Sequence, residues 1–143
     1  EFLRSKGGDS NSYKSSDLVN SLKWSTQSTN ASTVKYFKGL IALRKAHPAF
    51  RMETTDQVKK NLKFLSSPEG TIAYSINGSA VKDSAATVVV VHNASTSAQS
   101  ITLPKSGSWS VLVESGRAGT TVLRKVNGNT IMVEARSTLV LTQ

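Results

Sequence analysis

The chain has 143 residues and not one cysteine. That excludes a disulfide framework and any thiolate metal site. Its two histidines, His47 and His92, stand too far from other ligating groups to suggest a zinc centre, so neither metal nor cofactor is implied. Long hydrophobic runs are also missing: nothing approaches the roughly 20 apolar residues that span a bilayer, and the start lacks the basic and apolar regions of a signal peptide. No membrane partner is expected. The absence of cysteine fits an extracellular, secreted bacterial setting. Basic clusters are scarce despite a formal charge of +9, because no basic run exceeds two residues (Arg44-Lys45, Lys59-Lys60, Arg124-Lys125). Without a patch or a recognisable nucleic-acid motif, the charge reads as a solvated surface, or as a basic part whose acidic complement lies elsewhere, and not as a nucleic-acid footprint.

Reactive constellations are equally sparse. The nine carboxylates are dispersed, and no two have a spacing that demands partnership, as the acid and nucleophile or base of a glycosidase do. No serine sits in a nucleophile elbow, and Gly7-Gly8 lacks the lysine and hydroxyl residue of a phosphate loop. No catalytic residue is assigned.

What is present divides by composition. Residues 1–30 are rich in Ser, Asn, Gly and Lys, which favour turns and local side-chain to backbone hydrogen bonds; a loop that long inside a compact protein is usually functional. The stretch ASTVKYFKGLIALRKAH, residues 31–47, reads as an amphipathic helix with Val34, Phe37, Ile41 and Arg44 at spacings of three and four and Leu40 widening the stripe. Asn30 or Ser32 caps its start. Arg44, Lys45 and His47 suit the negative end of its dipole, and Pro48 stops it. Gly39, costly inside a helix by about 1 kcal/mol, implies close approach to a neighbour.

Beyond a short helical turn in TTDQVKKNL the pattern is β. Eight runs qualify as strands: LKFLSS, TIAYSI, ATVVVVHN, QSITLP, WSVLVES, TVLRKV, NTIMVEA and TLVLTQ. Asn127-Gly128 suits a two-residue hairpin turn, which pairs TVLRKV with NTIMVEA. Trp109, Val111 and Val113 alternate with Ser110, Leu112 and Glu114, a half-buried strand, and the unbroken valines 88–91 suggest a strand buried on both faces. The expected class is mainly β, an antiparallel β-sandwich.

The opening loop offers sugar-recognising side chains. Asn11 donates and accepts, Tyr13 presents a ring and a hydroxyl, and Arg4 carries a planar fork of donors. A sugar has an apolar face and a rim of hydroxyls, which suits that mixture, although an ordinary structured loop holds the same residue types.

EFLRSKGGDSNSY, then SSDLVNSLKW, then YFKGLIALRKAHPAFRM, together resemble the end of the catalytic domain of type I pullulanases, starch-debranching enzymes of the α-amylase clan. The match is dense over about the first 52 residues; the β-rich remainder and the ending EARSTLVLTQ are similar to the family's C-terminal sandwich. The resemblance implies that residues 1–50 are the last strand, loop and helix of a (β/α)8 barrel and that residues 51–143 form the all-β domain. Glu1 then matches a glutamate within barrel strand eight, Phe2-Leu3-Arg4 continue that strand, and the loop after it belongs at the substrate rim. Asn11 and Tyr13 match the family's NSY loop as substrate contacts; Arg4 either faces substrate or braces the loop. Asp17 and Asn20 match a downstream pattern, Trp24 is expected beneath the helix, and Asp9 stands where the family varies. The family's reactive carboxylates lie on other strands, so the implied partners are the upstream remainder of the enzyme and an α-glucan, and the chain alone is expected to be inactive. The alternative is a non-catalytic carbohydrate-binding or structural β-module, with Trp109 and the tyrosines as a stacking platform.

Overall fold

The protein was analysed as a computed structural model that describes residues 2–143. After two single-turn 3-10 segments (Lys6–Gly8 and Ser12–Lys14), four α-helices follow: α1 (Asp17–Asn20), α2 (Thr26–Thr29), α3 (Ala31–Ala46) and α4 (Thr55–Asn61). Among the described residues seven strands follow: β1 (Leu62–Phe64), β2 (Thr71–Asn77), β3 (Thr87–Asn93), β4 (Gln99–Glu114), β5 (Arg117–Ala118), β6 (Arg124–Val133) and β7 (Ser137–Thr142). They form one antiparallel sheet in the order β1-β2-β3-β7-β4-β5, with β6 also paired to β4.

The sheet folds on itself. QSITLP and WSVLVES, expected as two strands, are the halves of β4, and its register against β6 shifts between Thr102 and Gly107. Past that bend, Ile101 and Leu103 of β4 and Ile131 and Val133 of β6 close over Ala73, Val89, Val91, Leu139 and Leu141, with Trp109 fully buried among them. This is the sandwich core, made by one bent sheet.

The Asn127-Gly128 hairpin does not form. The single strand β6 runs unbroken through the dipeptide, from Arg124 to Val133, with Asn127 opposite Ser108 and Gly128 opposite Gly107. Gly107 and Gly128 have φ of 138° and 116°, so the two glycines supply the backbone freedom for β4 and β6 to bend together. The dipeptide that permits a turn here permits a kink, because β4 offers β6 a continuous partner on both sides of it.

The opposite face of the sheet carries α3. Val88 and Val90 point to that side while Val89 and Val91 face the first core, so the valine run is buried on both faces as its sequence suggests. Leu43 is buried there with Ile76, Leu112, Val113 and Val140, and Tyr36, Leu40, Phe50 and Met52 pack around them. Val113 leaves the Trp109-Val111 face because a bulge sets Val111 opposite Leu141 but Val113 opposite Val140, which turns Leu112 and Val113 both toward the helix. Gly39 makes the contact possible: a Cβ there would lie 2.0 Å from the Ala118 carbonyl oxygen of β5.

Phe37 and Ile41, expected in the buried stripe, are 44% and 54% exposed. The side of α3 that meets the sheet is centred on Tyr36, Leu40 and Leu43; Val34 of the expected stripe is buried, and Phe37 and Ile41 are the apolar residues of α3 left half-exposed by the described residues. No strand forms at Phe2-Leu3-Arg4, where Leu3 has φ of 54°; an extended segment needs a neighbouring strand for its backbone groups, and the described residues bring none there. Glu1 lies outside the described residues.

Candidate functional site

The opening loop is built around one amide. Asn20, at the end of α1, donates through Nδ2 to the carbonyls of Ser12 (2.7 Å) and Ser15 (2.9 Å), and its Oδ1 accepts from Lys6 Nζ at 3.2 Å. Lys6 Nζ also bonds Ser12 Oγ. A side chain that satisfies two carbonyls and a cation at once fixes the path of the loop without regular secondary structure. Asp9 ties the tip: Oδ1 accepts from the Asn11 amide at 3.0 Å and Oδ2 from Ser15 Oγ at 2.5 Å. The Ser15 hydroxyl and then the Asn11 amide hold the Asp9 carboxyl below its usual range. Lys6, Gly7 and Gly8 take positive φ, which lets three consecutive residues turn sharply.

The loop is closed at its base. Asn30, which precedes α3, makes no side-chain cap bond; its Nδ2 donates instead to the Phe2 carbonyl at 2.9 Å. Phe2 meets Trp24 edge-on with ring centroids 5.7 Å apart. Trp24 is not buried beneath the helix: it is 67% exposed, meets Phe2 at the loop's base, and borders α3 across a shallow cleft shared with Ala31, Val34 and Lys38.

Of the three sequence-predicted contacts, Asn11 and Tyr13 stand exposed at the tip, with the Lys14 ammonium 5.7 Å from the Tyr13 ring centroid. Arg4 is separate from them. Its Nη1 donates to the Asn20 carbonyl at 2.8 Å, and it lines, with Phe2, Lys6, Leu18 and Lys23, a cleft of about 450 Å³ on the other side of the loop. Lys6 was not singled out in the sequence, since a lysine in a Ser- and Gly-rich stretch carries no signal of its partners.

Elsewhere the ionisable groups serve the fold. Asp83 has a fully buried side chain that bonds His47 Nδ1 (2.8 Å), the Ala49 amide (2.9 Å) and the Ala85 amide (2.9 Å), locking the end of α3 to the sheet. Burial pushes its carboxyl up, but the Ala85 and Ala49 amides and His47 outweigh this and hold it below the ordinary value. Glu114 takes a bidentate grip from Arg124, through Nε at 2.9 Å and through Nη2, and that guanidinium holds its carboxyl low. Trp109 is not a stacking platform: its ring is 0% exposed, with Nε1 donating to the Lys105 carbonyl at 3.2 Å. No group of three or more His, Asp or Glu side chains suited to a metal occurs among the described residues.

Comparison with known proteins places this architecture. Residues 58–117 match the family model described as pullulanase, all-beta domain. A pullulanase of Bacillus subtilis (strain 168) is 37% identical over 114 residues, which is 80% of this chain and 16% of that protein. The structure of pullulanase from Bacillus acidopullulyticus superposes with a TM-score of 0.92 at 39% identity, covering 99% of this chain and 17% of that one. The type I pullulanase of Bacillus subtilis str. 168, in complex with maltose, superposes at 0.86 with 32% identity, covering 99% and 20%. Over residues 58–117 the chain is thus similar to the pullulanase all-beta domain, and over most of its own length it is similar to pullulanases, while spanning about a sixth of the curated relative.

Proposed function

We propose that this chain is a non-catalytic part of a starch-debranching glycoside hydrolase, one that cleaves α-1,6-glucosidic linkages in pullulan and branched α-glucans. Residues 1–50 act as the closing strand, loop and helix of a catalytic barrel, and residues 51–143 as the β-domain that buttresses it. The single observation that carries this reading is the two-sidedness of α3. Leu43 and Leu40 cover the sheet, while Phe37 and Ile41 on the other side remain half-exposed. Leu3, Leu18 and Trp24 of the preceding loop are exposed as well. An apolar helix side of that size needs a partner, since large contiguous apolar patches mark interaction surfaces.

The chemistry is supplied from outside. Hydrolysis by either stereochemical route needs two carboxyl groups about 5–10 Å apart across the bond. Here Asp83 is enclosed among its hydrogen-bond donors, and Glu114 is held by Arg124. The loop contributes neutral recognition: Asn11 hydrogen-bonds sugar hydroxyls, Tyr13 offers a ring face, and Arg4 holds the loop through Asn20. The solved pullulanase that bears maltose is consistent with an α-glucan as the ligand of such a rim.

The experiment is complementation. Residues 1–143 produced alone are expected to release no reducing sugar from pullulan; co-expressed with an upstream barrel fragment of a related pullulanase, they are expected to co-purify with it and restore hydrolysis. Hydrolysis by the isolated chain, or no association with the barrel fragment, overturns the reading.

A further inference from the structure

On the sheet face that α3 covers, a shallow cleft of about 820 Å³ opens beside the first half of the helix, the half that the opening loop enters. Its volume is within the range of about 300–1,000 Å³ typical of small-molecule sites. Tyr36 of α3 forms one wall, His92 at the end of β3 the floor, Ser115 of the β4–β5 turn one lip, and Glu134 and Arg136 of the β6–β7 turn the other.

The cleft is held rigid from below. Asn93 is 3% exposed, and its Nδ2 donates to the carbonyls of Ser97 (2.9 Å), Val133 (3.1 Å) and Glu134 (2.9 Å). Its Oδ1 accepts from the Ser95 amide (3.0 Å), Ser95 Oγ (2.7 Å) and Thr71 Oγ1 (3.3 Å). That hub fixes the turn bearing Glu134 and Arg136. Both lips also hold a non-glycine residue in the left-handed region, Ser115 at φ 49° and Arg136 at φ 48°. At Ser115-Gly116 the positive φ values are those a two-residue hairpin turn requires, and they fix the shape of that lip.

The polar groups on top are unspent. The side chains of Glu134 and Arg136 are exposed and have no hydrogen-bond or ion-pair partner among the described residues, whereas the other arginine–carboxylate neighbours, Arg124 and Glu114, grip each other. His92 Nδ1 bonds Thr138 Oγ1 at 3.0 Å, which orients the imidazole and leaves Nε2 without a protein partner; the Tyr74 ring lies 6.3 Å from it. An acceptor carboxylate, a donor guanidinium, a half-free imidazole and one aromatic ring, that of Tyr36, in one trough do not form an anion site, because the carboxylate repels anions. Nor do they form a cation site, because the guanidinium repels cations. They match a neutral ligand with hydroxyls that both donate and accept and with an apolar C–H face, which is a sugar.

We propose that this cleft is a second α-glucan-binding site, separate from the rim loop. A neutral malto-oligosaccharide packs a ring on Tyr36 and His92 and bonds its hydroxyls to Glu134 and Arg136. That the sugar is an α-glucan rests on the proposed function; that the cleft takes a neutral sugar rests on the cleft.

The test is titration of the isotopically labelled 143-residue chain with maltohexaose, with cellohexaose as a control, read by amide chemical shifts. Shifts at His92, Gly116 and Arg136 that are weaker with cellohexaose are expected. The exposed-residue variants Arg136→Ala and His92→Ala are each expected to weaken binding about tenfold while leaving the remaining spectrum unchanged. No shifts at these residues, or shifts confined to residues 5–20, overturn the proposal. Equal response to both sugars leaves a sugar cleft but overturns the α-glucan assignment. Because this measurement needs no barrel, failed complementation with intact cleft binding counts against the debranching role alone, and the reverse pattern counts against the cleft alone.

Discussion

Gly39 and Asp83 each make α3 and the sheet one body, by different physics. Alanine is the better helix former by about 1 kcal/mol, so on propensity alone Gly39→Ala stabilises. The new Cβ would stand 2.0 Å from the Ala118 carbonyl oxygen, however, and a backbone atom cannot swing aside. Overpacking of that kind costs about 1–3 kcal/mol, which outweighs the propensity gain. Gly39→Ala is therefore expected to lower the urea midpoint of the chain. Asp83 contributes through three bonds from buried donors, and Asp83→Asn places an amide N–H against one of them, at a cost of about 2–4 kcal/mol. The sign of its pH dependence follows from a native carboxyl held below its ordinary value. The stabilisation is complete above about pH 4 and is lost as pH falls through the depressed native value. Melting temperatures measured from pH 5 downward are expected to fall less steeply in Asp83→Asn than in the parent; parallel slopes would show that Asp83 is not the titrating latch.

Among the elements, β4 and β6 decide the architecture. A bend in one strand alone would break the ladder, so both bend at facing glycines, Gly107 and Gly128. Gly128 separates two effects cleanly, because a Cβ placed there meets nothing within 4 Å. Gly128→Ala should thus be destabilising by backbone conformation alone, by about 1–3 kcal/mol, with no change in packing. A thermal melt that matches the parent's would mean that the bend does not depend on positive φ. The hairpin expected at Asn127-Gly128 was a local inference, and it failed because β-turn chemistry and bulge chemistry ask for the same residues. By contrast α3 was legible to within a residue, Ala31–Ala46 against an expected 31–47, since a 3.6-residue periodicity ending at a proline is itself local information. The capping box of α4, Thr54 with Gln57, is of the same kind.

At the scale of the whole molecule, the uncovered side of α3 separates self-contained stability from assembly. Phe37 and Ile41 make little of the core, so Phe37→Ser with Ile41→Ser is expected to leave the isolated chain folded, with an unfolding midpoint near the parent's. The same pair should weaken association with the barrel fragment enough to lose co-purification, because burying the exposed halves of two large apolar side chains is worth about 1.5–3 kcal/mol together. If association survives the double substitution, the barrel docks elsewhere. The two proposed sugar-facing regions, the Asn20-braced loop and the Asn93-braced cleft, share a design: a buried or half-buried asparagine fixes a turn from beneath while side chains above it stay free.

By itself the sequence determined what depends on near neighbours: the helix and its end, the two-faced valine strand, the polar composition of the opening loop, and the dispersal of the carboxylates. Tertiary structure alone decided which side of α3 meets the sheet, that Asn127-Gly128 is a bend, and which loop residues are spent on Asn20. The physical reason is range. Periodicity and capping act over one or two turns of chain, whereas a bulge, a buried carboxylate or a cleft exists only when residues such as His47 and Asp83, or His92 and Arg136, are brought together by the fold.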